Sequence, residues 1–139
     1  MRIVLINPPI DSVLEHGNVS PVTQYLFYNS APLGILYIAS VLEQEGHTVS
    51  VIDAAAELLD AVATTKRVEE FAPDVIGIGS FTVTFETTVK VGTHIKNALP
   101  TTPIILGSYH VTLMPDEAMS HQCFDVGVLG EGEFTMKEL

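Results

Sequence analysis

Short runs of apolar residues recur along the chain and are separated by longer segments with helical spacing. The runs occupy residues 3–6, 49–52, 75–78, 104–106 and 126–129, and each is rich in valine, isoleucine or leucine. Runs that are continuous rather than alternating are typical of strands buried on both faces, as in a parallel sheet. The pattern therefore predicts five buried strands.

The segments between these strands favour helices. The clearest one begins at Pro32, with Asn29 or Ser30 as its cap, repeats apolar residues at three- and four-residue spacing, and ends at Gly46 in the C′ position. The other predicted helices cover about residues 58–71, 84–99, 115–121 and 134–139.

Strands that alternate with helices imply a parallel sheet with helices on both of its faces. We therefore predict an α/β fold with a doubly wound, five-stranded parallel sheet. Of the common orders of such sheets we expect the flavodoxin-like (Rossmann-like) order 2-1-3-4-5. The 139 residues suit a single domain, spanning residues 1–139.

Charge and composition narrow the classes of partner. A net charge of −11, from 17 acidic and 6 basic residues, disfavours nucleic acids and anionic membranes. The single cysteine, Cys123, excludes an internal disulfide and an all-cysteine iron–sulfur site in this chain. No apolar stretch reaches the length of a membrane span, about 18 residues, and the first apolar run is too short for a secretory signal. We expect a cytoplasmic protein.

We expect a binding site among the residues that follow each strand, because doubly wound sheets bind ligands beyond the carboxyl ends of their strands. Asn7-Pro8-Pro9 follows the first strand, so the chain lacks the glycine-rich loop that binds the pyrophosphate of a dinucleotide. Asp53 ends the second strand, where a dinucleotide-binding domain has its ribose-binding acid, but without the glycines this is weak support for such a domain. A phosphorelay receiver domain needs an acid pair after strands one and three, which this sequence lacks. Residues 11–29 form a long first loop, which favours a functional role.

Small residues follow the third, fourth and fifth strands. They are Gly79 and Ser80 after the third, Gly107 and Ser108 after the fourth, and Gly130 and Gly132 after the fifth. Small residues at a strand end let a ligand approach the backbone closely, and hydroxyl groups can donate or accept hydrogen bonds. A flat, bulky group fits between strands three and four only if both strand ends are small, as they are here.

Five segments in order resemble the N-terminal cobalamin (B12)-binding domains of B12-dependent radical SAM enzymes. They are APLGILYIA at 31–39, EGH at 45–47, DVIGI at 74–78, LGSYHVT at 106–112 and GEGE at 130–133. The resemblance covers nearly the whole chain. Each motif alone is only moderately specific for this family, whereas the complete set in this order is a strong indication of it.

The resemblance implies that the domain binds cobalamin, with the nucleotide tail between strands three and four and the corrin ring over the strand ends. Ser80 and Thr82 resemble the serine motif that faces the tail, and Gly107 and Ser108 resemble a pair that is usually Gly-Gly. The implied cofactor-binding residues are Asn7, Pro8, Pro9, Pro32, Leu33, Gly34, Ser80, Phe81, Thr82, Gly107, Ser108, Tyr109, His110, Gly130, Glu131 and Gly132.

Two features depart from the B12-binding pattern. B12 domains of the mutase and methionine synthase type carry D-x-H-x-x-G after strand one, whereas here Asp11 and His16-Gly17 are wrongly spaced, so we expect no cobalt ligand from that loop. Ser108 replaces the second glycine, and its side chain could crowd the tail. His110 could approach cobalt, but a histidine at this place in the family is more often part of a structural loop, so we assign no metal ligand.

The resemblance also implies a larger parent enzyme. A radical SAM domain holds a [4Fe–4S] cluster through C-x-x-x-C-x-x-C and cleaves S-adenosylmethionine, and this chain has no such motif. We therefore expect a fragment, not catalytic alone, whose C-terminal radical SAM partner lies downstream. The parent would be a methyltransferase or an oxidative cyclase similar to the anaerobic Mg-protoporphyrin monomethyl ester cyclase.

Two other functions are alternatives to cobalamin binding. A flavodoxin-like FMN domain would need a phosphate loop rich in serine and threonine after strand one, which Asn7-Pro8-Pro9 is not. A degenerate module without a cofactor, kept for interdomain packing, is compatible with Ser108 and with the missing D-x-H-x-x-G. An exposed apolar patch beside the truncated last helix would also allow this chain to form a homodimer.

Overall fold

The computed structural model describes residues 1–10, 20–22, 25 and 30–138, which include a five-stranded parallel sheet. The strands are β1 (Arg2–Asn7), β2 (Thr48–Asp53), β3 (Val75–Gly79), β4 (Ile104–Gly107) and β5 (Val126–Gly127). Neighbouring strands pair in parallel in the order β2-β1-β3-β4-β5, which confirms the predicted topology.

Helices follow the strands along the chain. They are α1 (Leu33–Gln44), α2 (Ala61–Phe71), α3 (Phe85–Ala98), α4 (Tyr109–Leu113), α5 (Pro115–Met119) and α6 (Gly132–Glu138), with a 3₁₀ turn (Thr82–Thr84) directly before α3. None of the helices among these residues combines the length and apolar character needed to cross a membrane.

The sheet separates two layers of helices, because successive side chains of a strand point to opposite faces. We call the side packed against α2 and α3 the closed face; its buried strand residues are Val4, Ile6, Ile52, Ile76, Ile78, Ile104 and Leu106. We call the side that carries α1 and α6 the open face; its core is smaller and consists of Ile3, Leu5, Ala39, Leu42, Ile105, Val128 and Met136.

The ends of α1 and α2 partly differ from the prediction. Pro32 itself occupies the N-cap position of α1, without a capping side chain, so Ser30 is not the cap, and Asn29 lies outside the described residues. At the other end Gly46 has φ +84°, as expected for a C′ glycine. The second helix starts three residues later than predicted because Leu58 is left-handed, with φ +55°, and the Asp60 side chain caps the helix instead.

The region from β4 to α6 shows the largest corrections. Helix α4 was not predicted, since Tyr109–Leu113 carries aromatic and β-branched residues with low helix propensity. The fifth strand ends at Gly127 rather than residue 129, because Gly130 turns the chain at φ +73° and α6 begins at Gly132. The helix predicted over 115–121 ends at Met119. Most of the predicted first loop, residues 11–29, lies outside the described residues.

Candidate functional site

A cavity of about 900 Å³ lies on the open face at the carboxyl edge of the sheet. Strands β1, β3 and β4 form its floor, α1 and α6 form its sides, and the segments after β1, β4 and β5 form its mouth. Its position agrees with the general rule for doubly wound sheets, and its size is typical of small-molecule and cofactor sites.

The floor of the cavity carries glycines on the same strands whose closed face carries isoleucine and leucine. Gly77 and Gly79 of β3 and Gly107 of β4 lie on the open face, with Gly79 paired beside Gly107. A Cβ atom added at Gly107 would meet no heavy atom within 4 Å, whereas one at Gly79 would lie 3.2 Å from Ile35 Cδ1. The floor at Gly107 is therefore open to a ligand, and at Gly79 the helix packs close to the strand.

Most of the predicted cofactor residues line this cavity together, although they come from five separate segments of the chain. They are Asn7, Pro8, Pro32, Leu33, Gly34, Phe81, Gly107, Ser108, Tyr109, Gly130, Glu131 and Gly132. The topology brings these segments to one edge because the carboxyl ends of parallel strands meet there. Pro9, Ser80, Thr82 and His110 are not part of the lining.

Ser80 connects the ends of β3 and β4 instead of facing the cavity. Its side chain is 1% exposed; the hydroxyl donates to the Phe81 carbonyl oxygen at 3.2 Å and accepts from Thr88 Oγ1 at 3.1 Å. Its backbone N–H donates to the Gly107 carbonyl, and its own carbonyl accepts from the His110 N–H. Both hydroxyl bonds are internal to the protein, which indicates a structural role for this serine.

His110 is packed into the core beside α3. Its side chain is 3% exposed, its ring stacks on Phe85 with centroids 3.7 Å apart, and its Nδ1 lies 3.3 Å from Thr82 Oγ1. Its Nε2 is buried without a hydrogen-bond partner in the described structure. Because Phe85 belongs to the core of the closed face, the imidazole ring packs with that core rather than beside the cavity.

Ser108 has a backbone conformation that belongs to glycine. Its φ of +81° and ψ of −165° lie in a region that residues with a side chain rarely adopt, at a cost of about 1–3 kcal/mol. The residue is half-buried at the rim of the cavity, directly after β4, and its side chain makes no capping bond to α4. A serine thus adopts, directly after β4, a backbone conformation that glycine takes more readily.

Thr112 joins two of the loops at the mouth, a role that the sequence did not reveal. Its hydroxyl donates to the Ser108 carbonyl oxygen at 3.0 Å and accepts from the Gly130 N–H at 2.9 Å. The segment after β5 is thereby fixed against the segment after β4. The motif at 106–112 contained this threonine, but only the tertiary structure shows which loop its side chain holds.

At the end of β1, Asn7 is held by a side-chain bond to β2. Its Nδ2 donates to Asp53 Oδ1 at 2.8 Å, and the same oxygen accepts from the Ala56 N–H at 3.2 Å. Asp53 therefore stabilises the turn after β2. This observation agrees with the sequence argument against a ribose-binding acid.

The mouth is apolar and carries only negative charge. Phe81 and Tyr109 stack with centroids 5.5 Å apart at an interplanar angle of 21°, and they are 49% and 65% exposed. Glu131 and Glu133 are the charged residues of the lining, which includes no lysine, arginine or histidine among the residues described. Such a mouth suits a broad ligand with apolar surface better than a ligand with a doubly charged phosphate.

A metal ion has no ready-made protein site in the described part of the chain, where no three His, Cys, Asp or Glu side chains come together. Cys123 is buried, and burial raises the pKa of its thiol above the ordinary value, although a hydrogen bond with Thr93 acts in the opposite direction. A buried thiol of raised pKa is a poor nucleophile and a poor metal ligand.

Three kinds of comparison place the chain among known proteins. A family model described as the B12 binding domain matches residues 20–139. An uncharacterized methyltransferase of Pyrococcus horikoshii is 34% identical over 142 aligned residues, which cover all of this chain and 28% of that protein. A cytidylyl-2-hydroxyethylphosphonate methyltransferase of Streptomyces wedmorensis is 30% identical over 125 residues, which cover 75% of this chain and 23% of that protein.

An anaerobic magnesium-protoporphyrin IX monomethyl ester cyclase of Synechocystis is 28% identical over 142 residues, which cover all of this chain and 27% of that protein. The chain thus spans about a quarter of the length of these relatives. A solved cobalamin-binding protein from Desulfitobacterium hafniense superposes with a TM-score of 0.68 at 13% identity, over 99% of this chain and 58% of that one. That likeness supports the fold. Because the family model covers well over half of its residues, the chain belongs to the family of B12-binding domains.

Proposed function

We propose that this chain is the cofactor module of a B12-dependent radical SAM enzyme and that it holds cobalamin in the cavity of the open face. The observation that carries the proposal is the cavity of about 900 Å³ between the sheet, α1 and α6, whose floor is open at Gly107, at the edge where such folds bind ligands. An apolar wall with a few polar groups is the usual character of a cofactor site.

The residues of the cavity fit the two parts of cobalamin. The nucleotide tail would occupy the space between β3 and β4, over Gly107, where an added Cβ atom would meet no heavy atom within 4 Å. The corrin ring would lie over the strand ends, against Pro8, Pro32, Tyr109 and Gly130. Polar groups at the mouth, such as those of Ser108 and Glu131, would then orient the amide side chains of the ring.

In this proposal the chain contributes binding and orientation, and it keeps water from the buried part of the cofactor. Cobalamin, when bound, supplies a cobalt ion that can carry a methyl group or take part in radical chemistry. The lining formed by the described residues includes no histidine, and the expectation that Asp11 and His16 supply no cobalt ligand stays a prediction. In this proposal the described residues bind and orient the cofactor and take no part in a catalytic step.

The rest of the enzyme would carry the reaction. A radical SAM domain with a [4Fe–4S] cluster and S-adenosylmethionine would face the corrin, and methyl transfer or oxidative cyclisation would be its chemistry. The names of the relatives, two methyltransferases and a cyclase, support this range of reactions. A homodimer of this chain stays a prediction, which sedimentation at high protein concentration tests.

Titration of the chain with hydroxocobalamin, followed by absorbance and calorimetry, tests the proposal. We expect saturable binding that Gly107→Leu weakens at least about tenfold, since the leucine side chain would fill the open floor, whereas Gly107→Ala weakens it less. FMN serves as the competing ligand. Binding of FMN instead of cobalamin, or no binding of either at millimolar concentration, would contradict the proposal for this chain.

A further inference from the structure

The inner end of the cavity is closed by two side chains. A second, smaller hollow of about 130 Å³ lies towards the amino end of the sheet, against Met1, Ile3 and Val75. Ile105 and Met136 line both this hollow and the large cavity. These two residues therefore form the partition between the two spaces.

The two residues of the partition differ in their freedom to move. Ile105 is a β-branched residue in the middle of β4, paired with Gly77 on one side and Val126 on the other, so its χ1 angle is restricted. Met136 belongs to α6 and has an unbranched thioether side chain, which adapts to irregular space. A Cβ atom added at Gly77 would lie 2.8 Å from Leu5 Cδ2 and 3.8 Å from the Met136 Cε, so Leu5 covers that glycine and the thioether lies beside it.

Helix α6 also contacts α1 through residues other than Met136. Lys137 Nζ lies 2.5 Å from Glu45 Oε1 at the end of α1. At the start of the helix, a Cβ atom added at Gly132 would lie 3.1 Å from Ile38 Cδ1, so α6 already sits close against α1. A ligand that reaches deeper than the present cavity would meet the Met136 side chain, which moves more readily than a packed helix.

We infer that Met136 sets the depth of the cavity and is thereby the residue that selects corrinoids by the size of the base at the end of their nucleotide tail. The inference rests on the proposed function, since it places that tail in the cavity. A base that stops at Met136 is accepted as the cavity stands. A base one fused ring larger has to enter the inner hollow, and the thioether is the part of the wall that can make room.

Three corrinoids separate this role from general binding: cobinamide, which has the ring but no nucleotide tail; cobalamin, whose tail ends in dimethylbenzimidazole; and a corrinoid whose tail ends in naphthimidazole. Each is titrated by absorbance and calorimetry against the wild-type chain, Met136→Ala, Met136→Trp and the control Met136→Leu. Thermal unfolding of each variant confirms that the fold is retained.

We expect Met136→Ala to shift the preference from cobalamin towards the naphthimidazole corrinoid by about tenfold, and Met136→Trp to weaken both tail-bearing corrinoids by a similar factor. Cobinamide binding should stay unchanged in every variant, and Met136→Leu should behave like the wild type. Equal weakening of cobinamide and cobalamin by Met136→Trp, or no change in preference in Met136→Ala, would overturn the inference. Failure of the wild-type chain to bind any of the three would instead overturn the proposed function.

Discussion

The two faces of the sheet are made by the same strands and yet have opposite properties. In β3 and β4 the residues that point to the closed face are Ile76, Ile78, Ile104 and Leu106, all buried in the core. The residues between them, on the open face, include Gly77, Gly79 and Gly107, which leave a cavity. One face of the strands contributes stability, and the other contributes the space for a ligand.

The physical difference lies in what each residue type offers at burial. Complete burial of an isoleucine or leucine side chain contributes about 1.5–3 kcal/mol, whereas a glycine contributes no side-chain burial and costs additional backbone entropy. The buried side chains of the closed face can therefore stabilise β3 and β4 although their open face carries glycines. We therefore expect substitutions on the closed face to change the free energy of unfolding and those on the open face to change binding.

The largest contrast should come from neighbouring residues at the end of β4. Leu106→Ala removes a fully buried side chain from the closed face and should lower the free energy of unfolding by about 2–5 kcal/mol. Gly107→Ala, the matched change on the open face, adds a methyl group into open space and should change it by less than about 0.5 kcal/mol. Urea unfolding of both variants checks this. Equal losses of stability would show that the open face is also part of the tightly packed core.

Ser108→Gly should stabilise the protein, in contrast to most substitutions near the cavity. Relief of the glycine-type backbone conformation is expected to exceed the extra entropy of glycine in the unfolded chain, for a net gain of about 1 kcal/mol. The experiment is urea unfolding beside Ser108→Ala, which keeps the strain and removes the hydroxyl. If Ser108→Gly and Ser108→Ala are equally stable, relief of backbone strain at this position does not explain the gain in stability.

Thr112→Val should loosen the open face while the closed face stays intact. The change removes the hydroxyl that holds the Gly130 N–H and the Ser108 carbonyl, for a loss of about 0.5–1.5 kcal/mol. Because these loops form the mouth, we also expect cobalamin affinity to fall several-fold in the same titration. Thr112→Ser keeps the hydroxyl and serves as the control; a serine variant as weak as the valine variant would argue against the hydrogen bonds.

The smallest effect concerns pH and the closed-face side of the sheet. Burial alone would raise the pKa of Asp125, but hydrogen bonds from Lys96 and the Ile104 N–H, together with the Lys96 charge, lower the pKa below its ordinary value of 3.8. The stabilisation from this carboxylate is therefore fully present above the ordinary value and is lost as the pH falls through the lowered one.

Asp125→Asn isolates that contribution. Because the ion pair with Lys96 is partly exposed, we expect it to stabilise the fold by less than about 1 kcal/mol. The wild type should exceed the variant in thermal stability at pH 7, and the difference should shrink as the pH falls towards 3. A difference that grows on acidification would have the wrong sign for a carboxylate of lowered pKa.

The sequence predicted the strands and the site edge better than it predicted helix ends and side-chain positions. Continuous runs of valine and isoleucine predicted the buried strands, and the glycines at the ends of these runs predicted a binding site at that edge of the sheet. Helix α4 was missed because tertiary packing around His110 overrides the low helix propensity of its residues. Ser80 and His110 were placed in the site from motif order, but periodicity does not reveal whether a side chain after a strand turns towards the cavity or into the core.

The sequence by itself determined the class of fold, the positions of the strands along the chain and the family, because hydrophobic runs and ordered motifs are local properties of the chain. Only the tertiary structure decided which side chains meet. It brought Thr112 to Gly130, placed Met136 of α6 beside Leu5 and Gly77, and put Ser108 into a backbone conformation typical of glycine. These contacts join residues from different elements, and their geometry depends on how helices pack on a twisted sheet.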